Sequence, residues 1–328
     1  MVASMPPALE IVDVVGVGLN ATDTLIRLPR FPSFNTKMQV LDVAREAGGQ
    51  VASALVACRR WGLSARYIGS IGDDEAGAFQ RQELERNGVE AHWLVTPGVR
   101  SQFAYILIDR ESGERTILWG RDPRLEIHPE QLDRKWIERA RLLHVDGHDA
   151  GAAAAAACWA RAAGIPVVAD LDHAYQGTKD LLPYVDYLLA SAEFPSRLTG
   201  ESDLAHALRV LAERYPCRVA GATLGERGAL AWDGTRYHYE PGFVVGAVDT
   251  TGAGDIFHAG YIYGLLAGWD VGRSLEFACA SAALNCTATG ARGGIHTVAE
   301  IQRFIAAAAR REHAFELDGL GRGAARRR

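Results

Sequence analysis

The sequence predicts a three-layer α/β protein, a mostly parallel, doubly wound sheet covered by helices on both faces, with a small antiparallel sheet inserted as a lid. Residues 11–18 (IVDVVGVG) form a near-continuous apolar run, as in a strand buried on both faces of a parallel sheet. Further short apolar runs recur with helix-forming stretches between them, which is the βαβα order such a sheet requires. Two other stretches alternate apolar and polar residues, the mark of half-exposed antiparallel strands.

After the first strand, 65–71 (ARYIGSI), 141–145 (RLLHV), 165–169 (IPVVA), 187–189 (YLL) and 218–223 (RVAGAT) read as core strands. Residues 50–61, 76–87, 150–163 and 203–214 carry the helix formers between them. The alternating stretches are 36–45 (TKMQVLDVAR) and 101–118 (SQFAYILIDRESGERTIL), the second turning at Glu111-Ser112-Gly113-Glu114. They define a lid formed by about 34–46 and 99–120. Helical patterns close the chain at 256–266, 271–287 and 298–309. One domain over 10–310 is expected, with 1–9 and 311–328 as disordered tails.

With 328 residues and 48% hydrophobic composition the chain can bury a large core. The net charge is −5, and basic residues are scattered apart from Arg326-Arg327-Arg328, so no basic face points to nucleic acid. Five cysteines without a Cys-x-x-Cys pair fit reduced thiols and a cytoplasmic protein. No segment reaches about 18 uninterrupted apolar residues, so neither secretion nor membrane insertion is expected.

The most informative feature is Asp249-Thr250-Thr251-Gly252-Ala253-Gly254-Asp255, a small-residue turn between the apolar run 243–248 and a helical pattern. Gly252, Ala253 and Gly254 carry almost no side chain, so their backbone N–H groups and the helix N-terminus can hold a phosphate. A carboxylate beside that phosphate suits a general base for an attacking hydroxyl, which makes Asp255 the catalytic candidate. The chain has no G-x-x-x-x-G-K-[ST], so the cradle is not a P-loop. Residues 16–21 (GVGLNA) fit a dinucleotide-binding G-x-G-x-x-A, the mark of a Rossmann dehydrogenase. Strand-like 23–28 with Pro29 and Pro32 leaves no room for the helix that motif needs.

Residues 249–261 (DTTGAGDIFHAGY) resemble, position by position, the second signature of the ribokinase (PfkB) family of carbohydrate kinases. The resemblance spans roughly 10–305 and implies a ribokinase-like fold, an ATP-dependent sugar kinase and a homodimer formed through the lid. Asp23 and Pro32 match the family's early Asp and Pro, which makes Asp23 a clamp for sugar hydroxyls. Gly48-Gly49-Gln50-Val51-Ala52-Ser53 is similar to the first signature, with Ser53 where most members carry Asn and Val51 where most carry a small residue. Gly48, Gly49, Gln50 and Ser53 are therefore expected at the sugar, read by an altered set of polar groups. Lys37, Arg100 and Arg115, in or beside the lid strands, would meet an anionic substituent or face solvent.

Thr223-Leu224-Gly225-Glu226-Arg227-Gly228 resembles the family's turn at the nucleotide, which implies ATP contacts from Thr223, Gly225 and Gly228, together with Thr250. The turn 289–294 (TGARGG) and the preceding helix would close over adenine, with Asn285 as a contact. Magnesium is expected with ATP, although the stretch Ser191-Ala192-Glu193-Phe194 departs from the family's N-x-x-E motif, with Glu193 one residue out of register. Asp249 and Thr251 match positions that hold a monovalent cation, usually K+, in some relatives. Residues 249–260 and 282–295 look most like the branch near ketohexokinases and sulfofructose kinases. Two alternatives stay open on the same fold: a nucleoside kinase, with Trp119 or Phe103 stacking a base, and a catalytically silent sugar- or nucleotide-binding regulator.

Overall fold

The computed structural model describes residues 9–111 and 114–311. The expected tails at 1–8 and 312–328, including Arg326–Arg328, and the centre of the 111–114 turn lie outside the described residues. In chain order the elements begin β1 (Val12–Val17), β2 (Ala21–Leu28), β3 (Asp42–Gly48), α1 (Gln50–Arg60), β4 (Ala65–Gly72), α2 (Glu75–Arg86), β5 (Glu90–Thr96), β6 (Phe103–Asp109) and β7 (Arg115–Gly120). They continue with α3 (Arg134–Glu138), β8 (Ala140–Asp146), α4 (Ala150–Ala162), β9 (Val167–Leu171), α5 (Thr178–Leu181), β10 (Tyr187–Ser191), α6 (Phe194–Thr199), α7 (Leu204–Arg214) and β11 (Val219–Thr223). The last are β12 (Ala229–Trp232), β13 (Tyr237–Glu240), α8 (Ala253–Leu266), α9 (Val271–Asn285) and α10 (Val298–Ala307).

The large sheet has the order β13-β12-β11-β10-β9-β8-β1-β4-β5. Its pairings are parallel from β11 to β5, with β12 and β13 added antiparallel at one edge. The β1 alternation explains the layering: Val15 and Val17 turn toward α4, whereas Val14 packs with α1, α8 and α9. The helix-forming stretch 150–163 is α4, whose Ala152, Ala153, Ala156, Ala157 and Ala160 are buried and let the helix lie close on the sheet.

The small sheet has the order β3-β2-β6-β7, two antiparallel pairs joined by a parallel β2–β6 pairing. Its strands differ from the expected boundaries in one respect. The alternation at 36–41 forms no strand, and β2 instead completes the lid, because Ala21–Leu28 alternates as regularly and pairs on both sides. Nothing in the sequence announced β5 and β13, the two edge strands, or β12 beside β13; β12 and β13 are only four residues long.

At the amino end of the parallel strands, Arg66 is fully buried and all its donors are used. Nε and Nη2 donate to Glu90 Oε1 and Oε2 at 2.8 and 3.0 Å, Nη1 to the Trp136 and Arg139 carbonyls at 3.1 Å each, and Nη2 to the Glu10 carbonyl at 2.8 Å. This clamp ties the chain's entry, β4, β5 and α3 together, far from the carboxyl edge. Among the described residues no helix is long and apolar enough to cross a membrane.

Candidate active site

The carboxyl ends of β1, β8, β9, β10 and β11 open on one edge of the large sheet, where α/β proteins place their ligands. Two turns meet there, 249–254 before α8 and 289–294 after α9. Asp249 is fully buried and staples them: Oδ1 accepts from Thr251 N–H and Oδ2 from Gly290 N–H, each at 2.8 Å. Asn285 does the same from α9, donating to the Thr251 and Ala291 carbonyls at 3.3 and 3.2 Å and accepting from Gly294 N–H at 3.2 Å. Asn285, expected at adenine, is fully buried, and both ends of its amide are committed to joining these turns. Gly252 is obligatory at the crossing: its φ is +75°, and a Cβ would come within 2.4 Å of the Ala291 carbonyl oxygen.

The turn leads into α8 with free donors. Ala253 N–H turns back to the Thr250 carbonyl at 3.3 Å, while the N–H groups of Gly252, Gly254 and Asp255 find no acceptor among the described residues. Of the expected 252–254 run, Ala253 N–H is therefore already used, and Asp255 N–H is a further open donor. The Asp255 carboxyl itself is raised to about 7, by burial first and then by Asp170; His258, Arg292 and Arg115 pull the other way.

Asp23, on β2, is 5% exposed and is also raised to about 7 by burial, with Asp255, Asp249 and Glu46 adding to the rise and Arg292 opposing it. Gly48 makes room for it, since a Cβ there would lie 2.0 Å from Asp23 Oδ2. Gly49, at φ +94°, passes equally close to the Asn20 backbone and opens α1. Gln50 follows, its amide beside Asp170, where it opposes the rise that burial causes there. Ser53 is fully buried and accepts from Arg292 Nε at 3.1 Å, while Arg292 Nη2 donates to the Gly48 carbonyl at 2.9 Å. Arg292 is the functional residue that sequence reasoning missed. Its guanidinium stands beside both Asp23 and Asp255, and burial lowers it to about 10 against the pull of those two carboxylates.

Strand register sorts the lid. Asp23, Arg27, Ala104, Ile106, Ile108, Arg115 and Trp119 share one face. That face looks onto the site: Arg27 Nη2 donates to Thr289 Oγ1 at 3.0 Å, Arg115 Nη1 hydrogen-bonds Thr250 Oγ1, and Trp119 stands edge-on to His148 with ring centroids 6.1 Å apart. Phe103 and Tyr105 occupy the opposite face, with Arg100 over the Phe103 ring at 3.8 Å. Arg100 and Phe103 therefore do not reach the site. Lys37 does not either: it lines a separate groove with Arg30, Leu41, Arg110 and Glu111, at the end of the lid strands away from Asp23 and Gly48.

On the nucleotide side, Thr223 ends β11, half-buried, with its hydroxyl 3.4 Å from the Ala190 carbonyl oxygen. Gly225 and Gly228 follow at φ +61° and +95°, and at Gly228 a Cβ would lie 1.9 Å from the Glu240 carbonyl oxygen. Glu193 is exposed and paired with Arg197 on its own helix. Among the described residues no group of three His, Cys, Asp or Glu side chains could hold a metal.

A helix terminus with free donors, a half-buried carboxyl poised near neutrality and a lid whose inner face looks onto both define a phosphoryl-transfer enzyme of the ribokinase-like fold. The chain belongs to the pfkB family of carbohydrate kinases, whose model matches residues 7–298. It is a phosphotransferase that uses a sugar hydroxyl as acceptor. It is 31% identical over 286 residues, 86% of this chain and 94% of the relative, to the ATP-dependent ribose-1-phosphate kinase of Halopiger xanaduensis. The structure of a candidate ribokinase from Agrobacterium tumefaciens is also 31% identical, with a TM-score of 0.84 over 90% of this chain and 97% of that one. A candidate ribokinase II of Escherichia coli, solved with ATP and Mg2+, shares the fold at 20% identity and a TM-score of 0.80, covering 90% and 99% of the two chains.

Proposed function

We propose that this enzyme transfers the γ-phosphoryl group of ATP to a hydroxyl of a sugar that also carries an anionic group, with Asp255 as general base. The observation that carries the role is that the carboxyl poised near 7 and the N–H groups without acceptors share one helix terminus. Asp255 takes the proton of the attacking hydroxyl, and the N–H groups of Gly252, Gly254 and Asp255 stabilise charge on the moving phosphoryl group. Asp23 clamps the acceptor's hydroxyls, with Arg292 beside it. Thr223, Gly225, Gly228 and Thr250 line the nucleotide side. Closure of the lid over this edge excludes water that would otherwise take the phosphoryl group.

Arg27 and Arg115 on the site face of the lid favour an anionic acceptor, and a relative is named for its action on ribose 1-phosphate. ADP release with magnesium-ATP across ribose, ribose 1-phosphate, fructose, fructose 6-phosphate, 6-deoxy-6-sulfofructose and adenosine tests this. At least one anionic acceptor should exceed its neutral parent in kcat/KM by about tenfold or more. A neutral sugar preferred by that margin removes the anionic class and leaves the sugar kinase; preference for adenosine, stacked on Trp119, restores the nucleoside alternative.

The residues present fit magnesium brought by the nucleotide, held by phosphates and water, where it would offset charge on the β- and γ-phosphates. Thr251 supports a potassium ion at the stapled turns, since its buried hydroxyl oxygen has no partner and lies beside Asp249. Exchanging potassium for tetramethylammonium is then expected to lower kcat, and an unchanged kcat rules the ion out. The lid's outer face exposes Val43, Tyr105 and Leu118, which supports a homodimer formed lid to lid. Light scattering should report a dimer at micromolar concentration and a monomer for Tyr105→Lys/Leu118→Lys; a wild-type monomer refutes it. Five free cysteines and the use of ATP suit a cytoplasmic enzyme.

A further inference from the structure

Beneath the Asp255 turn lies a pair of titratable side chains that none of these roles uses. His258, one turn on from Asp255 along α8, is 2% exposed, and Asp170 near the end of β9 is 6% exposed. The imidazole Nδ1 lies 2.7 Å from the Gly254 carbonyl oxygen and 3.2 Å from Asp170 Oδ2, and Nε2 lies 3.0 Å from the Leu189 carbonyl oxygen. Three acceptors thus surround two ring nitrogens. A neutral imidazole has one N–H and one lone pair, so it would set that lone pair against an acceptor. A neutral ring that accepted from a protonated Asp170 would still hold its Nδ1 lone pair 2.7 Å from the Gly254 carbonyl oxygen, whereas a ring protonated at both nitrogens satisfies all three groups, with Asp170 as the carboxylate placed to balance it.

We propose that Asp170 and His258 form a buried imidazolium–carboxylate pair that positions the catalytic turn: the ring holds the Gly254 carbonyl, and with it the anion-binding N–H groups and the Asp255 carboxyl, while Asp170 keeps the floor of the site electrically neutral. The inference rests on the reading of Asp255 as base, and neither residue touches the acceptor. Burial opposes charge on both partners, pulling the ring down and pushing Asp170 well up. The bonds to Leu189 and Gly254 and the charge of Asp255 recover only part of this, so the ring stays below its ordinary value and the case for its charge is the geometry of its three acceptors. Asp146, opposite Asp170 on β8 and fully buried, is itself raised to about 8 by burial, with Asp149 and Asp170 adding to the rise. His144 on β8 stacks on the ring, with centroids 5.9 Å apart, and burial drives it down to about 3, so it stays neutral. The Gln50 amide from α1 lies beside Asp170 and eases its charge, and Asp172 adds a like charge beside it. Asp255 in turn feels Arg292 and Arg115 from above.

The two members of the pair act on Asp255 with opposite sign. Asp170→Asn removes a negative charge and leaves the ring uncompensated, so Asp255 should hold its proton less tightly. His258→Gln keeps a hydrogen-bond donor but removes the positive charge, so Asp255 should hold its proton more tightly. A pair that only supports the fold predicts no such opposition.

Long-range 1H–15N spectra of the full-length, histidine-labelled protein read the ring directly without any substrate, the His258 signals being assigned by their loss in His258→Gln. Both ring nitrogens carrying protons at pH 7.5 is the expected result, and a neutral tautomer overturns the pair. For the acceptor that turns over, the acid limb of the kcat/KM profile should move down by about one pH unit in Asp170→Asn and up by about as much in His258→Gln. Limbs unmoved in both variants, with magnesium-ATP binding intact, overturn the positioning role. If no acceptor turns over at any pH, the kinase reading has failed, whereas the spectra still decide the pair.

Discussion

Replacing Asp255 by Asn is expected to lower kcat by about 10³-fold or more while magnesium-ATP still binds, because the amide cannot accept the acceptor's proton. The backbone donors of Gly252 and Gly254 do not depend on that side chain, so nucleotide affinity measured by calorimetry should change little. The same substitution should stabilise the protein at alkaline pH. The folded Asp255 carboxyl sits near 7, above its value in an unfolded chain, so its contribution favours the fold in acid and is lost as pH rises through about 7. At pH 8 the ionised group costs on the order of 2 kcal/mol, and Asp255→Asn should melt higher than wild type there, with the gain vanishing near pH 4. A variant that loses activity and melts lower at pH 8 would mean that Asp255 holds the structure rather than strains it.

The second large effect lies at the other end of the sheet. Arg66→Met is expected to lower unfolding free energy by about 3 kcal/mol, because it strands Glu90 and three backbone carbonyls that one guanidinium now satisfies. Glu90 keeps partial access to water, with 39% of its side chain exposed, which holds the cost at the lower end for a broken buried pair. Urea midpoints measure it. Since Arg66 is remote from the carboxyl edge, kcat below the transition should stay at the wild-type value, and a midpoint unchanged within error would show that the clamp contributes nothing.

How much of this was legible in the sequence depends on the reach of each interaction. The turn before α8 was legible because its chemistry is local: small residues, a helix start and an acid occur in one short run. The core strands were legible because burial on both faces leaves long apolar runs. Arg292 was not, because its role is a long-range one. It sits in a run of small residues that suggested a nucleotide turn, and its partners Ser53 and Gly48 lie 239 and 244 residues away in the chain. His258 was equally hidden, being part of a helical motif whose sequence does not announce Asp170 beneath it. Asn285 and Asp249 illustrate the converse: residue types suited to a ligand also join two turns, a role that nothing in their local sequence announces. Lys37 was misplaced because alternation continues for several residues before β3, where among the described residues only Leu41 reaches β2, donating its N–H to the Arg27 carbonyl at 2.8 Å.

The account stands or falls on Asp255 working as a base with a proton affinity set by its buried site. The kcat/KM profile of wild type for its acceptor between pH 5 and pH 9 measures that directly. An acid limb with an apparent pKa near 7, below which activity falls tenfold per pH unit and which is missing from the residual activity of Asp255→Asn, is the predicted result. A limb at the ordinary carboxylate value near 4, or one that persists unchanged in Asp255→Asn, would contradict it.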